Sequence, residues 1–450
     1  MERLAQTLAT LRSYSKNSCI EGDTSLHTYS RLLDEIDRWS LRFDGLRVEP
    51  GMVVGLRSDY SLDALAALLA LLSRHAVVAL IPQQSKPDQY LADSCASALL
   101  ELRPDADADW RITSHATSHP LLDQLRTAGG GGLIIFTSGS TGHPKAALHS
   151  TERFLQKYRK PGRRFRTLAF LLFDHIAGLD TAFYTLTSGG TLILTRRRDP
   201  ASILDLIESH GVEVLPASPT FLRMLCADRE TNRRKLSSLK IITYGSEPMD
   251  PATLSRLNSQ FPNAQISQKY GTTETGSPSC VSRASDSLWL KFKSDRVETK
   301  IVDDVLWIRS DSTILGYLNA PSPVDEEGWY CTADLVDVDG EWIRFRGRAS
   351  ETINVGGEKV SPTEVEHSIL QLDFVRDVVV SGAAHPLLGQ IVTARVVLSN
   401  TDIGREEAIT RIWRHCRRGL APHKAPVKIE VVAGGLVGDR QKVQRISSNS

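Results

Sequence analysis

The chain has 450 residues, of which 41% are hydrophobic and 24% charged, and its formal net charge at pH 7 is +1. This length exceeds that of one ordinary domain and predicts two or three, and the composition is that of a globular enzyme. A net charge so close to zero excludes a strong overall field, so neither nucleic acid nor an anionic membrane is expected as a partner.

The cysteines and the N-terminal segment favour a cytoplasmic protein. The six cysteines form no CxxC pair and no zinc-like cluster with histidine, which indicates buried, reduced thiols. The first residues include Glu2 and lack the apolar core of a secretory signal. The most apolar stretch, residues 64–72, is too short for a membrane span, which needs about 20 residues, and it predicts a buried helix.

Apolar runs alternate with helical segments through the first half of the chain. A helix at 62–72 is flanked by strands at 53–56 and 76–81, which together form one strand–helix–strand unit. After the glycines at 129–132, further strands are predicted at 133–137, 168–173, 191–195, 212–215 and 241–244, with helices at 202–209 and 219–226. This order predicts a doubly wound α/β body with mostly parallel sheets.

The pattern changes after about residue 300. Antiparallel strands are predicted at 305–308 and 342–345, and the turn Asp339-Gly340 precedes the second. Ser361-Pro362-Thr363-Glu364 is a capping box that predicts the start of a helix. Strands at 378–381 and 391–398 and a helix at 406–418 complete the pattern. We therefore expect a large N-terminal body, 1–347, and a small, mobile α+β lid, 348–450.

The strongest local signal follows the strand at 133–137. It runs Thr137, Ser138, Gly139, Ser140, Thr141, Gly142, His143, Pro144 and Lys145. Glycines and small hydroxyl residues let backbone N–H groups approach a polyphosphate, and the lysine adds a cation. The sixth position from Gly139 is proline and Ala146 follows the lysine, so this is not a Walker A loop, and a P-loop kinase or NTPase is excluded.

This stretch resembles the phosphate loop of the acyl-adenylate-forming superfamily, which includes acyl-CoA synthetases, the adenylation domains of nonribosomal peptide synthetases and beetle luciferases. Further motifs resemble the family's in the right order up to the C-terminus, so the resemblance covers nearly the whole chain. It is nearest to the acyl-CoA ligase-like members. It implies a nucleotide site between the body and the lid.

The resemblance assigns a role to each later motif in the body. Gly245, Ser246, Glu247 and Pro248 follow the strand at 241–244 and are expected beside adenine. The next motif is Tyr270, Gly271, Thr272, Thr273 and Glu274. In it the tyrosine is expected to hold adenine, Thr273 to contact phosphate, and the glutamate to bind Mg²⁺ through a hard oxygen. Taken alone, this motif would be an ordinary loop with a surface glutamate.

Asp334, in Gly328-Trp329-Tyr330-Cys331-Thr332-Ala333-Asp334, is expected to accept hydrogen bonds from both ribose hydroxyls, and Arg348 to make a second nucleotide contact. His175 occupies the place of the family's acyl-pocket motif and is expected to line or gate the carboxylate site. An isolated histidine is as often structural.

Two lid motifs complete the set. Gly356 and Gly357 are expected to face the acyl-accepting thiol, in a stretch that also reads as a hairpin turn. Lys442 resembles the catalytic lysine, which neutralises charge at the new bond. Here Gln441 stands where the family commonly has glycine. Ser350 stands at the family's hinge, where aspartate or lysine is usual.

The implied reaction is the activation of a carboxylic acid by ATP with Mg²⁺, followed by acyl transfer to CoA. The sequence leaves an amine or a carrier-protein thiol open as the acceptor. It also leaves open a catalytically silent member that acts as a binding protein. The acid itself cannot be identified from the sequence.

Overall fold

The computed structural model of the chain describes residues 2–22, 25–103, 106–115, 118–137, 143–293, 296–399, 403–433 and 436. Within these residues the helices are α1 Glu2–Ser13, α2 Tyr29–Gly45, α3 Leu62–Ser73, α4 Pro87–Asp93, α5 Pro120–Thr127, α6 Thr151–Leu155, α7 Ile176–Thr187, α8 Pro200–His210, α9 Pro219–Ala227, α10 Pro251–Gln260, α11 Pro362–Ile369 and α12 Arg405–Gly419. Short 3₁₀ turns cover Gln156–Arg159, Arg229–Asn232, Ala349–Glu351 and Pro422–Lys424.

The strands fall into four sheets. In chain order they are β1 Ser18–Gly22, β2 Ser25–Thr28, β3 Val53–Arg57, β4 Val77–Leu80, β5 Ala98–Glu101, β6 Asp109–Ile112, β7 Gly132–Thr137, β8 Lys145–Ser150, β9 Arg166–Leu168, β10 Thr191–Ile193, β11 Val214–Ala217, β12 Ile241–Tyr244, β13 Gln265–Gln268, β14 Cys280–Ser282, β15 Leu290–Phe292, β16 Val297–Val302, β17 Val305–Ser310, β18 Gly316–Tyr317, β19 Tyr330–Asp339, β20 Trp342–Arg348, β21 Ile353–Val355, β22 Glu358–Val360, β23 Val375–His385, β24 Gly389–Leu398 and β25 Lys428–Val431.

Two seven-stranded sheets form the centre of the body. One has the order β18-β8-β7-β4-β3-β5-β6, with β7, β4, β3 and β5 parallel. The other has the order β13-β12-β11-β9-β10-β1-β2, parallel from β13 to β1. The α/β expectation is confirmed. The strand 133–137 joins the first sheet and not the later series, because β7 pairs with β4.

Buried residues of both sheets and of helices α2, α3 and α7 form the largest core. Val54 and Val78 belong to this core, whereas their neighbours Val53 and Val77 pack against α4 and α5 on the opposite face. Successive strand residues point to opposite faces, so apolar runs are needed where helices cover both. Helix α3 is buried on all sides, and Ser61 caps it by accepting a hydrogen bond from the Ala64 N–H at 3.0 Å.

Two local predictions were wrong. The strand 168–173 pairs only up to Leu168, and the next residues lead into α7, with Phe173 packed into the core at 2% exposure. Its apolar side chains are buried by packing and not by a sheet, which periodicity cannot distinguish. Helix α11 does follow Ser361, but the serine hydroxyl donates to the Arg346 carbonyl at 3.1 Å instead of capping the helix.

The third sheet is antiparallel, with the order β14-β15-β20-β19-β17-β16, and includes the predicted hairpin at Asp339-Gly340. The fourth has the order β22-β21-β24-β23, with β25 parallel to β24. It packs with α11 and α12 around a core of its own, between Ile353 and Ala425. The boundary at 347/348 remains a prediction.

A buried ion pair joins the lid strand β23 to the body. The Arg223 guanidinium on α9 lies 3.1 Å from Asp250 Oδ2 and 3.2 Å from Asp377 Oδ1. Asp250 also caps α10 by accepting from the Thr253 N–H, and both carboxylates are buried. One arginine therefore bridges a body carboxylate and a lid carboxylate.

No helix in the described residues is both long and apolar enough to cross a bilayer.

Candidate active site

A cleft of about 840 Å³ lies where the body meets the lid. Most of the sequence motifs converge on it. The predicted residues that line it are Thr137, His175, Gly245, Ser246, Glu247, Pro248, Tyr270, Gly271, Thr272, Thr273, Glu274, Asp334 and Arg348. From the lid, Glu366 and His367 of α11 and Val378 of β23 face the same space. Residues up to about 240 positions apart in sequence therefore share one site.

Tyr270, Asp334 and Arg348 form one hydrogen-bonded group in the cleft. The tyrosine hydroxyl donates to Asp334 Oδ2 at 2.7 Å, and Arg348 Nε donates to Oδ1 at 3.1 Å. The Tyr270 ring stacks on Phe345, with centroids 4.7 Å apart and planes 6° apart. Burial raises the pKa of Asp334, which the arginine and the phenol oppose. Each carboxylate oxygen keeps a second lone pair for a ligand hydroxyl.

Glu274 is buried at 7% exposure, and two phenols hold it. The Tyr317 hydroxyl donates to its carboxylate, and the Tyr330 hydroxyl lies beside the same group. Burial and this carboxylate raise the pKa of both tyrosines, which keeps them as donors. Tyr317 also bonds the Thr137 side chain, and Lys145 Nζ lies 5.3 Å from its ring centroid. The end of the predicted phosphate loop and the predicted metal ligand thus meet at one tyrosine.

The turn after β12 approaches the neighbouring motif closely. A Cβ on Gly245 would lie 2.6 Å from the Lys269 carbonyl oxygen, so only glycine fits. Ser246 has a positive φ of 69°. Glu247 accepts from the hydroxyl and the N–H of Thr220, at 2.8 and 3.3 Å, in the first turn of α9. The glutamate therefore fixes this turn to a helix N-terminus, where negative charge is favoured.

The loop from Tyr270 to Glu274 is also held from within. Gly271 is packed so that a Cβ would lie 2.6 Å from the Gly276 carbonyl oxygen. The Thr272 hydroxyl accepts from the Thr275 N–H at 3.1 Å and is buried. Its contacts are structural, whereas Thr273 is half-buried at the cleft.

His149 of β8 supports this loop from below. Its ring lies beside the Thr273 backbone, and complete burial lowers its pKa to about 4. The histidine is therefore neutral at neutral pH. No motif marks it, so only the three-dimensional structure reveals it.

His175 lies at the cleft, at the residue preceding α7, and its side chain does not cap the helix. Three further predicted sets stand apart. Ser138, Gly139, Ser140, Thr141 and Gly142, together with Lys442, lie outside the described residues. Gly356 and Gly357, with φ of 60° and 94°, form the turn of the β21–β22 hairpin and do not line the cleft. Their role as the thiol-facing loop stays a prediction that needs another lid position.

Sequence reasoning missed several residues of the site. Tyr317, Tyr330 and Phe345 act on predicted residues but lie in strands of unremarkable composition. Lys157 and Asp180 also line the cleft. Asp180 stands four residues after Ile176 on α7, so the helical spacing that follows His175 is the signal that could find it.

Among the described residues no three His, Cys, Asp or Glu side chains cluster as a metal cage. Glu274 does fit Mg²⁺, which is held in nucleotide sites by one or two carboxylates together with phosphates and water. Its buried carboxylate beside the end of the predicted phosphate loop is a donor set of this kind.

The sequence profile of AMP-binding enzymes matches residues 9–318, and that of the AMP-binding enzyme C-terminal domain matches residues 364–437. The chain belongs to the AMP-binding enzyme family. The predicted resemblance to acyl-adenylate-forming enzymes is thereby confirmed.

Similar proteins are CoA ligases. Over 62% of its length the chain is 27% identical to 4-coumarate-CoA ligase 1 of Narcissus pseudonarcissus, and the match spans 57% of that protein. Over 73% of its length it is 26% identical to the long-chain-fatty-acid–CoA ligase FadD13 of Mycobacterium tuberculosis, and this match spans 71% of that protein. The chain thus matches only part of each relative.

Solved structures share the fold. The anthranilate CoA ligase AuaEII in complex with anthranoyl-AMP has a TM-score of 0.82 at 20% identity, over 97% of this chain and 95% of that one. The amide bond synthetase McbA from Marinactinospora thermotolerans has a TM-score of 0.79 at 21% identity, over 96% and 97%. Identities this low establish the architecture and not the acid or the acceptor.

Proposed function

We propose that the chain activates a carboxylic acid with Mg·ATP, through an acyl-adenylate, and transfers the acyl group to CoA. The observation that carries the proposal is the single cleft shared by the Gly245–Pro248 turn, Tyr270, Glu274, Asp334 and Arg348. An aromatic ring and two buried carboxylates at one site suit a nucleotide that reacts at its phosphates.

Tyr270 and Asp334 form the proposed adenosine site. Phe345 covers one face of the tyrosine ring, so a base stacks on the other. Tyr270 and Arg348 fix the Asp334 carboxylate in place and leave it a lone pair on each oxygen for the ribose hydroxyls. A site positioned before the ligand arrives loses little side-chain entropy on binding.

Glu274 is the proposed ligand of the Mg²⁺ that accompanies ATP, and the ion supplies neutralisation of phosphate charge when bound. Tyr317 and Tyr330 hold the carboxylate, and Thr137 and Lys145 flank it on the phosphate-loop side. The adjoining N–H groups of residues 138–142 are the proposed phosphate cradle.

The first step joins a substrate carboxylate oxygen to the α-phosphorus and breaks the bond to the bridging oxygen of the β-phosphate, so that pyrophosphate leaves. The protein's part is to hold both anions in line and to neutralise their charge, for which Lys442 is proposed. In the second step the acceptor sulfur bonds to the acyl carbon and AMP leaves.

CoA is the first choice of acceptor because Gly356-Gly357-Glu358-Lys359 resembles the loop of acyl-CoA ligases. Since this hairpin lies off the cleft here, the proposal includes a lid rotation about Arg348-Ala349-Ser350 between the two steps. An amine or a carrier-protein thiol remains the second candidate for the acceptor.

The test incubates the protein with ATP, Mg²⁺ and a broad panel of carboxylic acids, and separates the nucleotides. AMP and pyrophosphate are expected, and ADP as the only product would refute the proposal. No nucleotide turnover with any acid would favour a silent binding protein. Adding CoA, a primary amine or a phosphopantetheine-bearing carrier in separate arms then identifies the acceptor from the thioester or amide formed.

A further inference from the structure

Asp180 lies on the face of α7 that turns toward the cleft. Ile176, Ala177, Asp180, Thr181 and Tyr184 all line the cleft, and their spacing is that of one helix face. Ile176 and Ala177 are apolar and the Thr181 hydroxyl donates to the Ala177 carbonyl at 2.8 Å, so Asp180 supplies the carboxylate on this face.

The Asp180 carboxylate is fixed through one oxygen only. Tyr158 donates its hydroxyl to Oδ1 at 2.7 Å, and Lys157 Nζ makes an ion pair with the same atom. Tyr158 is buried at 6% exposure and packs against Phe183, so it holds the carboxylate from behind. Among the described residues nothing donates a hydrogen bond to Oδ2, and the Asp180 side chain is 28% exposed in the cleft.

The position of the pair relates it to the proposed reaction centre. Lys157 Nζ also donates to the Ser277 carbonyl at 2.7 Å, three residues beyond Glu274 in the same loop. Asp180 stands five residues along α7 from His175, about 7.5 Å along the helix axis. Since the resemblance expects His175 at the carboxylate site, we take the part of the cleft beside α7 as the acid side.

We infer that Asp180 Oδ2 selects a carboxylic acid that carries a neutral hydrogen-bond donor, a hydroxyl or an uncharged amino group, several bonds from its carboxylate. This inference rests on the proposed function and names the substrate class of that site. In the free protein, water can donate to Oδ2. A bound acid that lacks a donor displaces this water and leaves the oxygen unpaired, so a site of this kind discriminates strongly between acids with and without a donor.

The charges around Asp180 favour an uncharged hydrogen-bond donor on the substrate. Lys157 already occupies Oδ1, so an ammonium at Oδ2 would bring two cations onto one carboxylate. A second carboxylate on the substrate would instead face Oδ2 with like charge. Hydroxyl and neutral amine satisfy the oxygen without either repulsion.

The test uses two series of acids, one built on benzoate and one on cinnamate. Within each series the acids differ only in the substituent at one ring position, which is hydroxyl, amino, methoxy, hydrogen, aminomethyl or carboxylate. The measurement is kcat/KM for pyrophosphate release. For the parent protein we expect kcat/KM for the hydroxyl-substituted or the amino-substituted acid to exceed that for the methoxy and hydrogen counterparts at least about tenfold. The ratio between the hydroxyl and amino arms identifies the donor. Aminomethyl and carboxylate acids are expected to be the poorest.

In the Asp180→Ala protein, kcat/KM for a donor-bearing acid and for its hydrogen counterpart should agree to within about twofold. Asp180→Asn keeps the shape and one acceptor oxygen, so it provides a second variant with a smaller loss. Thr181→Val, on the same face, is the matched control and should keep the preference.

The inference would be overturned by a parent protein with equal kcat/KM for donor-bearing and methoxy acids, or by active Asp180 variants with an unchanged ratio. A preference for the aminomethyl or the carboxylate acid would also overturn it. A failure of the proposed function is distinguishable, because the parent protein would then release no pyrophosphate, whichever acid is supplied.

Discussion

Replacing Arg223 with methionine should release the lid from the position seen here. Arg223 is the cation for two buried carboxylates, Asp250 in the body and Asp377 in the lid. Burial raises the pKa of Asp377 even beside the guanidinium. The ionised carboxylate therefore loses more hydration on burial than the ion pair returns. Methionine keeps the aliphatic volume and removes the charge.

The magnitude follows from burial. The two side chains that span the interface are 12% and 9% exposed. Removing one partner of a buried pair costs about 3–5 kcal/mol. Asp377 keeps a hydrogen bond from the Val378 N–H at 3.0 Å, so we take the lower end. About 3 kcal/mol lowers the ratio of docked to undocked lid roughly 100-fold.

The assay separates the two half-reactions. Because the Gly356-Gly357 hairpin lies off the cleft, the docked lid is assigned to acid activation. Arg223→Met should therefore slow pyrophosphate release from acid and ATP and spare thioester formation from supplied acyl-adenylate.

A double-mutant cycle with Asp377→Asn separates lid docking from the loss at Asp250. In the Asp377→Asn background, Arg223→Met should slow activation far less. The matched control is Arg256→Met, whose partner Asp373 is fully exposed at 3.5 Å, and it should leave both rates within about twofold of the parent. Equal losses in both half-reactions, or effects of the two mutations that simply add, would refute the role of the Arg223–Asp377 ion pair in holding the lid.

Four further outcomes are expected. Lys442→Ala should abolish pyrophosphate formation yet convert supplied acyl-adenylate to thioester, and equal loss of both steps would contradict this. Glu274→Gln should raise the Mg²⁺ concentration needed for half-maximal activity, whereas an unchanged requirement would remove it as the metal ligand. Ser350→Pro fixes φ and should keep one half-reaction while the other falls at least about tenfold; parental rates in both would exclude rotation there. His149 has a pKa of about 4 when folded against 6.5 ordinarily, so its contribution to stability is complete above pH 6.5 and lost progressively as the pH falls toward 4, by about 3 kcal/mol. His149→Gln should flatten that part of the unfolding curve, and an unchanged slope would mean that another group titrates.

Much of the candidate site could be predicted because its motifs are runs of neighbouring residues in the sequence. A turn after a strand and a glycine-flanked tyrosine need particular residue types at fixed spacing, and these two motifs line one cleft. The residues that hold them in place carry no such mark. Tyr317 and Tyr330 reach Glu274 from other strands, and His149 reaches Thr273 from β8.

Two errors have a common cause. The apolar run at 168–173 and the capping box at Ser361 both obey local rules, yet Phe173 enters the core outside any sheet and the serine hydroxyl bonds Arg346. In each case a tertiary contact offered a better partner than the local one, so propensity was overridden.

The sequence by itself determined the class of fold, the helix–strand order of the body, the family and the order of its motifs, because periodicity and motif spacing are local properties of the chain. Only the tertiary structure decided that β7 joins the first sheet, that Arg223 spans two carboxylates, and that Asp180 lines the cleft. Each of these depends on which distant surfaces pack together, and the free energy of that packing is set by partners that no local pattern records.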